Sequence, residues 1–282
     1  MTRTPEHTAE HTAEHTARSY YDSDDADTFY ARVWGGEDIH VGVYEDPDEL
    51  ISVASARTVT RMAQVAGVGP GTRVLDLGAG YGGAARRLAA GHGAAVHCLN
   101  LSPVENARNE RMTREQGLDE QVTVTTGSYE AVPVEDSSVD LVWSQDAFLH
   151  SGDRDRVLDE VARVLRPGGQ VVFTDPMAVD GLDQSSIQPI LDRIALSTMG
   201  TPGFYTDGLE RRGFTGVRFH DHAGQLPTHY RRVREELVAH EEELSSSISR
   251  PYLTAMKAGL QHWVDGGRAG KLTWGIVHAV RS

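Results

Sequence analysis

Val74-Leu-Asp-Leu-Gly-Ala-Gly-Tyr-Gly-Gly83 is the stretch that decides the fold. An apolar run broken by one acid predicts a strand over 73–77, and the glycines after it predict a turn that opens a helix over 82–91. Glycine admits positive φ and lets a ligand touch the backbone. Working outward, the alternation repeats. Strands are expected over 95–99, 121–126, 139–143 and 170–174. One helix is expected over 103–116, with Ser102 as N-cap and Pro103 in its first turn. Another is expected over 153–165, stopping at Arg166-Pro-Gly-Gly169. Strands alternating with helices give an α/β fold, a doubly wound parallel sheet covered on both faces. Downstream the rhythm changes: strands over 217–221 and 272–280 enclose helices over 228–244 and 251–264. Upstream, Tyr20, Tyr21, Phe29, Tyr30, Trp34 and Tyr44 concentrate aromatic residues, and Phe29, Tyr30, Val33 and Trp34 have helical spacing that ends at Gly35-Gly36. A further helix is expected over 48–66.

With 282 residues, 39 % hydrophobic and 24 % charged, the chain has the means for one large domain with a packed core. No apolar run approaches the ~18 residues that span a bilayer, and no basic-then-apolar leader is present, so neither membrane nor secretion is expected. A single cysteine, Cys98, excludes an intramolecular disulfide and an all-cysteine metal cage, and a reducing cytoplasm fits best. The net charge of −14 disfavours nucleic acid. Only Lys257 and Lys271 are lysines; acidity with few lysines fits either a protein kept soluble in strong salt or a genome that favours arginine codons. The expected partner is a small molecule, for a monomer or weak homodimer. Residues 1–18 repeat Glu-His-Thr-Ala. Their His7, His11 and His15 are four apart, open to a metal if helical, but the absence of an apolar face favours a solvated tail. The expected division is a tail over 1–18, a lid over 19–66, a core over 67–179 and 213–222 with the last strand 272–280, and a cap over 180–212 and 223–271.

Gly78, Gly80 and Gly83 satisfy the dinucleotide pattern G-x-G-x-x-G. Asp76 argues against a diphosphate there, because a carboxylate would repel it, whereas a cationic, phosphate-free cofactor is not repelled. At the end of the next strand stands Asn100, where an acid usually grips ribose hydroxyls; Asn can both accept and donate. S-adenosylmethionine fits, with its methionine end over the glycine turn. A turn kept only for close helix–strand packing, a NAD-dependent oxidoreductase and a non-catalytic binder of the same cofactor are the rival readings.

The chain resembles the Rossmann-like, seven-stranded S-adenosylmethionine-dependent methyltransferases through Asp76-Leu-Gly-Ala-Gly80, Val139-Asp-Leu-Val-Trp-Ser144 and Gly168-Gly169. Further blocks narrow the likeness: Trp34-Gly-Gly-Glu-Asp-Ile-His-Val-Gly42, Trp143-Ser-Gln-Asp-Ala-Phe-Leu-His-Ser151, Thr174-Asp-Pro-Met177, Pro189-Ile-Leu-Asp-Arg193 and Leu272-Thr-Trp-Gly275. These resemble the sarcosine/dimethylglycine N-methyltransferases of glycine betaine synthesis, with phosphoethanolamine methyltransferases as more distant relatives. The resemblance implies a lid that touches cofactor or substrate through Tyr21, Tyr30, Ile39 and His40. It implies a cofactor site at Asp76, Gly78, Gly80, Asn100, Leu101 and Gln145, with Ser128 and Tyr129 by the adenine. Asp146 and His150 would face the methyl group, and Met177, Arg193 and Tyr205 would line the amino-acid pocket.

Methyl transfer from a sulfonium is an in-line displacement that needs an amine lone pair, collinear approach and a dry cavity. His150 is the candidate to take the ammonium proton, since free histidine titrates near neutrality; its rival role is to cap the helix at 153. Asp146 is expected to attract the substrate nitrogen or the methionine amino group, or to cap a turn. Arg193 offers a bidentate partner for a carboxylate, unless it is a surface arginine. Tyr30, Trp34 and Tyr205 are candidates for a partial cage around a methylated nitrogen, or core aromatics. Met177 reads as pocket wall and Cys98 as an inert buried thiol. His220, His222 and His229 do not make a closed ligand set, so no metal is expected. The expected reaction is methylation of dimethylglycine, with sarcosine as a further acceptor, ending in betaine. The alternative is a small-molecule O- or N-methyltransferase of secondary metabolism.

Overall fold

A computed structural model describes residues 24–194 and 196–282. The turn quoted above lies where expected, between β1 (Arg73–Leu77) and α3 (Gly83–His92), numbering the helices from α1 (Asp24–Val33) and α2 (Ile51–Ala66). There follow β2 (Ala95–Asn100), α4 (Pro103–Glu115), β3 (Val122–Thr126), β4 (Val139–Gln145), α5 (Arg154–Val164) and β5 (Leu165–Ala178). The remainder is α6 (Gln188–Arg193), α7 (Pro202–Arg211), β6 (Phe214–Asp221), α8 (Gln225–Ala239), α9 (Glu241–Leu244), α10 (Arg250–Arg268) and β7 (Leu272–Arg281). The seven strands run in the order β3-β2-β1-β4-β5-β7-β6. All neighbours are parallel except β7, which is antiparallel to β5 and β6. The order reverses between β1 and β4, where a doubly wound sheet opens its crevice.

Three apolar clusters make the core. One packs α2 and α3 on a sheet face through Val59, Met62, Leu88 and Trp143. The second packs α5 and α7 on the opposite face through Leu158, Phe173, Tyr205 and Leu209. The third joins α1 to the cap helices through Phe29, Trp34, Leu226, Tyr230 and Trp263, with Tyr230 and Trp263 stacked 4.8 Å apart. Ser102 caps α4 as expected, accepting from the Glu105 N–H at 3.2 Å, and Asp153 caps α5, accepting from the Arg156 N–H at 3.0 Å.

Besides end shifts of a few residues, as at β4, β6 and α8, three differences from the sequence reading bear on the site. Strand β5 runs on past Thr174 through Pro176. Pairing with β4 ends at Gln145–Thr174, so beyond it β5 bonds only to β7 and a proline is tolerated as on an edge. Helix α7, expected in the cap, lies in the sheet layer against β6 and α5. Helix α2, expected in the lid, covers the sheet through the cluster it shares with Val74 and Ile276. The tail repeat lies outside the described residues. Among the described residues, no helix is long and apolar enough to cross a membrane.

What remains as lid is α1 and the extended segment 35–44. That segment belongs to no sheet, yet side chains take up the N–H groups of its last four residues. Val41 donates to Asp146 at 2.6 Å, Gly42 to His229 Nδ1 at 3.2 Å, Val43 to Thr58 at 3.0 Å and Tyr44 to Gln225 at 2.8 Å. A Cβ on Gly42 would stand 2.6 Å from that of Ala54, so the segment rests directly on α2. Gly42→Ala is expected to lower stability by about 1–3 kcal/mol through overpacking; thermal unfolding measures it, and an unchanged midpoint would show that the lid is not seated on α2.

Candidate active site

Three strand ends meet at the crevice: the glycine turn after β1, Asn100 closing β2, and Gln145-Asp146 closing β4. Gly78 has φ +77° and a Cβ there would lie 2.4 Å from that of Ala147, so only glycine fits. Gly80 has φ +52°, and Ile39 of the lid sits 3.0 Å above its missing Cβ. At Gly83 a Cβ would strike the Asp38 carboxylate at 2.2 Å. The turn is therefore shaped as much for the lid that covers it as for a ligand.

Under the lid lie three connected cavities. The first runs from Gly78 and Gly80 past Asn100 and Leu101 to Ser128, Tyr129 and Gln145. The second is walled by Tyr30, Trp34, Tyr230, Trp263, Arg193 and His150. The third lies over Asp76 and is lined by Asp38 and His40. Asp146 and His150 belong to both the first and the second, and Ile39 to all three.

His150 ends a 3-10 turn, Phe148–His150, braced from behind. The Leu149 N–H donates to Asp175 at 3.0 Å, and the Tyr205 hydroxyl donates to the same carboxyl at 2.6 Å. Burial pushes Asp175 up to about 8. Burial, with Arg154 and Arg193 nearby, pushes His150 down to about 4, so its imidazole is neutral through the working range. Asp146 adopts φ +52°, and neither oxygen waits for a ligand: one accepts the Val41 N–H and the other the Trp274 Nε1–H at 2.7 Å. Burial raises its carboxyl, against His40 and these hydrogen bonds. Arg193 lies against Gly259 of α10, where a Cβ would come within 2.1 Å of its Cδ and Nε.

A methyltransferase-domain family model matches residues 75–173. The sarcosine/dimethylglycine N-methyltransferase of Halorhodospira halochloris is 55 % identical over 262 residues, 93 % of this chain and 94 % of that protein. The glycine/sarcosine/dimethylglycine N-methyltransferase of Actinopolyspora halophila is also 55 % identical, and the chain spans 46 % of its length. A solved Galdieria sulphuraria protein assigned as a sarcosine dimethylglycine methyltransferase superposes with a TM-score of 0.88 at 48 % identity, covering 93 % of this chain and 99 % of that one. The chain belongs to the sarcosine/dimethylglycine N-methyltransferase family.

Within this family frame the structure gathers most of the residues singled out from sequence. Gly78, Gly80, Asn100, Leu101, Ser128, Tyr129 and Gln145 line the first cavity, and Asp76 and His40 the third. Tyr30, Trp34, His150 and Arg193 line the second. Tyr21 lies outside the described residues. Two expectations are corrected: Met177 and Tyr205 are fully buried in the cluster beneath the sheet and line none of these cavities, because alternation along β5 turns Met177 away from the pocket and Tyr205 packs on Phe173. Tyr205 acts instead through Asp175. The near-neutral titration expected of His150 is also corrected, by burial and two neighbouring guanidinium groups.

Sequence reading missed Glu105, Tyr230 and Trp263. Asn100 donates to the Glu105 carboxylate at 2.8 Å, so an acid from the first turn of α4 stands beside it in the first cavity. The signal was present as the capping pattern Ser102-x-x-Glu105. Tyr230 and Trp263 come from two cap helices, and only the tertiary fold brings them together. Cys98 is buried and its thiol is pushed up by burial. No group of three His, Cys, Asp or Glu side chains poised for a metal occurs among the described residues.

Two outcomes are expected. By NMR, the His150 ring titrates with a midpoint near 4, and a midpoint near 6.5 would contradict its enclosure. Gly259→Ala, which in an exposed helix would gain about 1 kcal/mol, keeps the fold here but displaces the Arg193 side chain; circular dichroism with acceptor kinetics should show an intact protein with a raised KM.

Proposed function

We propose that the chain transfers a methyl group from S-adenosylmethionine to the nitrogen of dimethylglycine, and also of sarcosine, yielding glycine betaine as an osmolyte. The observation that carries this is the second cavity, in which a guanidinium, a neutral imidazole and an aromatic wall face one another and adjoin the glycine-turn cavity at His150 and Asp146. The first cavity fits the cofactor. Its turn is a cradle that a Cβ at Gly78 would fill, and Asn100 with Glu105 offers donor and acceptor to a ribose. When bound, S-adenosylmethionine supplies the electrophilic methyl group.

The chain's own residues do the rest. Arg193 pairs with the acceptor's carboxylate as a charge-assisted fork. That pairing offsets one of the two cations that depress His150, so the imidazole becomes a better proton acceptor as the acceptor seats. His150 takes the ammonium proton; neutral dimethylglycine has none left on nitrogen, and no base acts during the transfer. Tyr30, Trp34, Tyr230 and Trp263 offer ring faces to the methylated nitrogen, each worth about 0.5–2 kcal/mol. The lid and cap hold both partners in a dry space, where positioning contributes at most about 7–11 kcal/mol. A lone buried thiol suits a cytoplasmic setting.

Glycine, sarcosine, dimethylglycine and phosphoethanolamine are to be incubated separately with enzyme and cofactor, and the products weighed by mass spectrometry. Dimethylglycine is expected to gain one methyl group and phosphoethanolamine none; transfer to phosphoethanolamine alone would overturn the reading. Arg193→Ala should raise the KM for dimethylglycine by about tenfold to a hundredfold, the loss of one charge-assisted contact.

A further inference from the structure

The 3-10 turn that presents His150 is gripped from two sides. On one side Asp175 takes the Leu149 N–H at 3.0 Å. The other grip is Glu130, a buried residue on the connection from β3 to β4. One oxygen of its carboxylate, Oε1, accepts from the Ser151 hydroxyl at 2.5 Å and from the Gly152 N–H at 3.0 Å. It also accepts the Asp153 N–H at 3.3 Å, sharing that donor with the Ser151 hydroxyl oxygen. The N–H groups of His150 and Ser151 close within the turn, on the carbonyls of Ala147 and Phe148. Every backbone donor from Leu149 to Asp153 thus has a partner, and two carboxyls from outside take those that the turn cannot.

The support of Glu130 is itself fixed. Arg156 of α5 donates through Nε to the Glu130 carbonyl at 3.0 Å. The Val132 N–H donates to Glu160 at 2.8 Å, and Arg163 donates to the Val132 carbonyl at 2.8 Å. The same connection walls the first cavity through Ser128, Tyr129 and Glu130, while His150 lines the second as well as the first. At the start of the turn, the Tyr129 hydroxyl donates to the Ala147 carbonyl at 3.0 Å. A wall of the first cavity and the imidazole that faces the second are therefore one hydrogen-bonded unit.

We propose that Glu130 is a positioning residue for the methyl transfer: from the wall of the first cavity it fixes the backbone at 151–153 and so holds the His150 imidazole against the acceptor's nitrogen. The inference rests on the proton-accepting role given to His150 above. Glu130 acts through the turn and not on the reacting atoms. Placement matters because a shift of about 1 Å in such a group can cost about a hundredfold in rate. The grip also keeps the ring enclosed. Burial, with Arg154 of α5 and Arg193 of α6, holds its titration low, and a loosened turn admits water.

Steady-state kinetics and NMR titration of the His150 ring test this together. Glu130→Ala should lower kcat for dimethylglycine by about tenfold to a hundredfold, with the KM for S-adenosylmethionine within about twofold. Its His150 midpoint should rise from about 4 toward the ordinary 6.5. Glu130→Gln, whose amide oxygen still accepts, should recover most of the kcat and keep the low midpoint. In a His150→Gln background Glu130→Ala should cost nothing further, because a residue that acts through another has no effect once that other is gone. If circular dichroism shows Glu130→Ala unfolded, Ser151→Ala, which removes one of the three bonds, is read in its place, with a loss of about twofold to tenfold expected. A folded variant with unchanged kcat or an unmoved midpoint, or an undiminished loss in the His150→Gln background, overturns the role of Glu130 and leaves the reading of His150 standing. An unchanged kcat for His150→Gln overturns that reading, and this inference with it.

Discussion

The carboxylate of Asp146 ties the lid to the sheet. It accepts the Val41 N–H on one side and the Trp274 indole on the other, from a backbone with φ +52° that a non-glycine residue rarely adopts. A left-handed turn just past β4 throws the side chain across the crevice and not along the strand. Without that acceptor, the buried Val41 N–H would have no partner, and leaving it so costs about 1–3 kcal/mol. Ile39 and His40, which reach the cavities, depend on the same anchor. The three residues after Val41 are held by His229, Thr58 and Gln225, with the Ala54 carbonyl as a backbone partner of Val43, so this part of the lid is bonded mainly to side chains.

This construction explains why the lid was hard to read from sequence. A strand in a sheet announces itself by alternation, because one ladder satisfies its backbone. Residues 41–44 are satisfied by side chains from three parts of the chain and by the Ala54 carbonyl, and no local pattern records that. The sheet, by contrast, was legible almost throughout, since period, caps and turn residues agree over each unit. Its two misreadings have one cause. Helices α2 and α7 flank the lid and cap in sequence but cover the sheet in space, and apolar spacing shows that a helix has a buried face without showing what buries it.

The candidate site divides in the same way. Residues at strand ends, such as Gly78, Asn100 and Gln145, could be placed from the chain because topology puts every such end on one edge. Side chains on β5 could not, because one residue of register decides between pocket and core; Met177 fell on the core side. Tyr205 carries the same lesson one step further. It supports the site through Asp175 and the 3-10 turn that presents His150, a role visible only from hydrogen bonds.

Placed together, the two ends of the site carry opposite fields. Around the glycine turn, the carboxyls of Asp38, Asp76 and Asp146 outnumber the basic groups of His40 and Arg87, while around the second cavity Arg154 and Arg193 help to hold His150 neutral. In a dry site such fields act with little screening. The negative end suits a sulfonium and an α-ammonium; the positive end suits a carboxylate and lowers the cost of presenting an uncharged amine. Asp76, pushed up to about 7 by burial, answers to this balance: a cation beside it draws it back toward the ionised form. The same burial that makes an empty site costly therefore makes a filled one selective, because only ligands with charge of the right sign at each end relieve it.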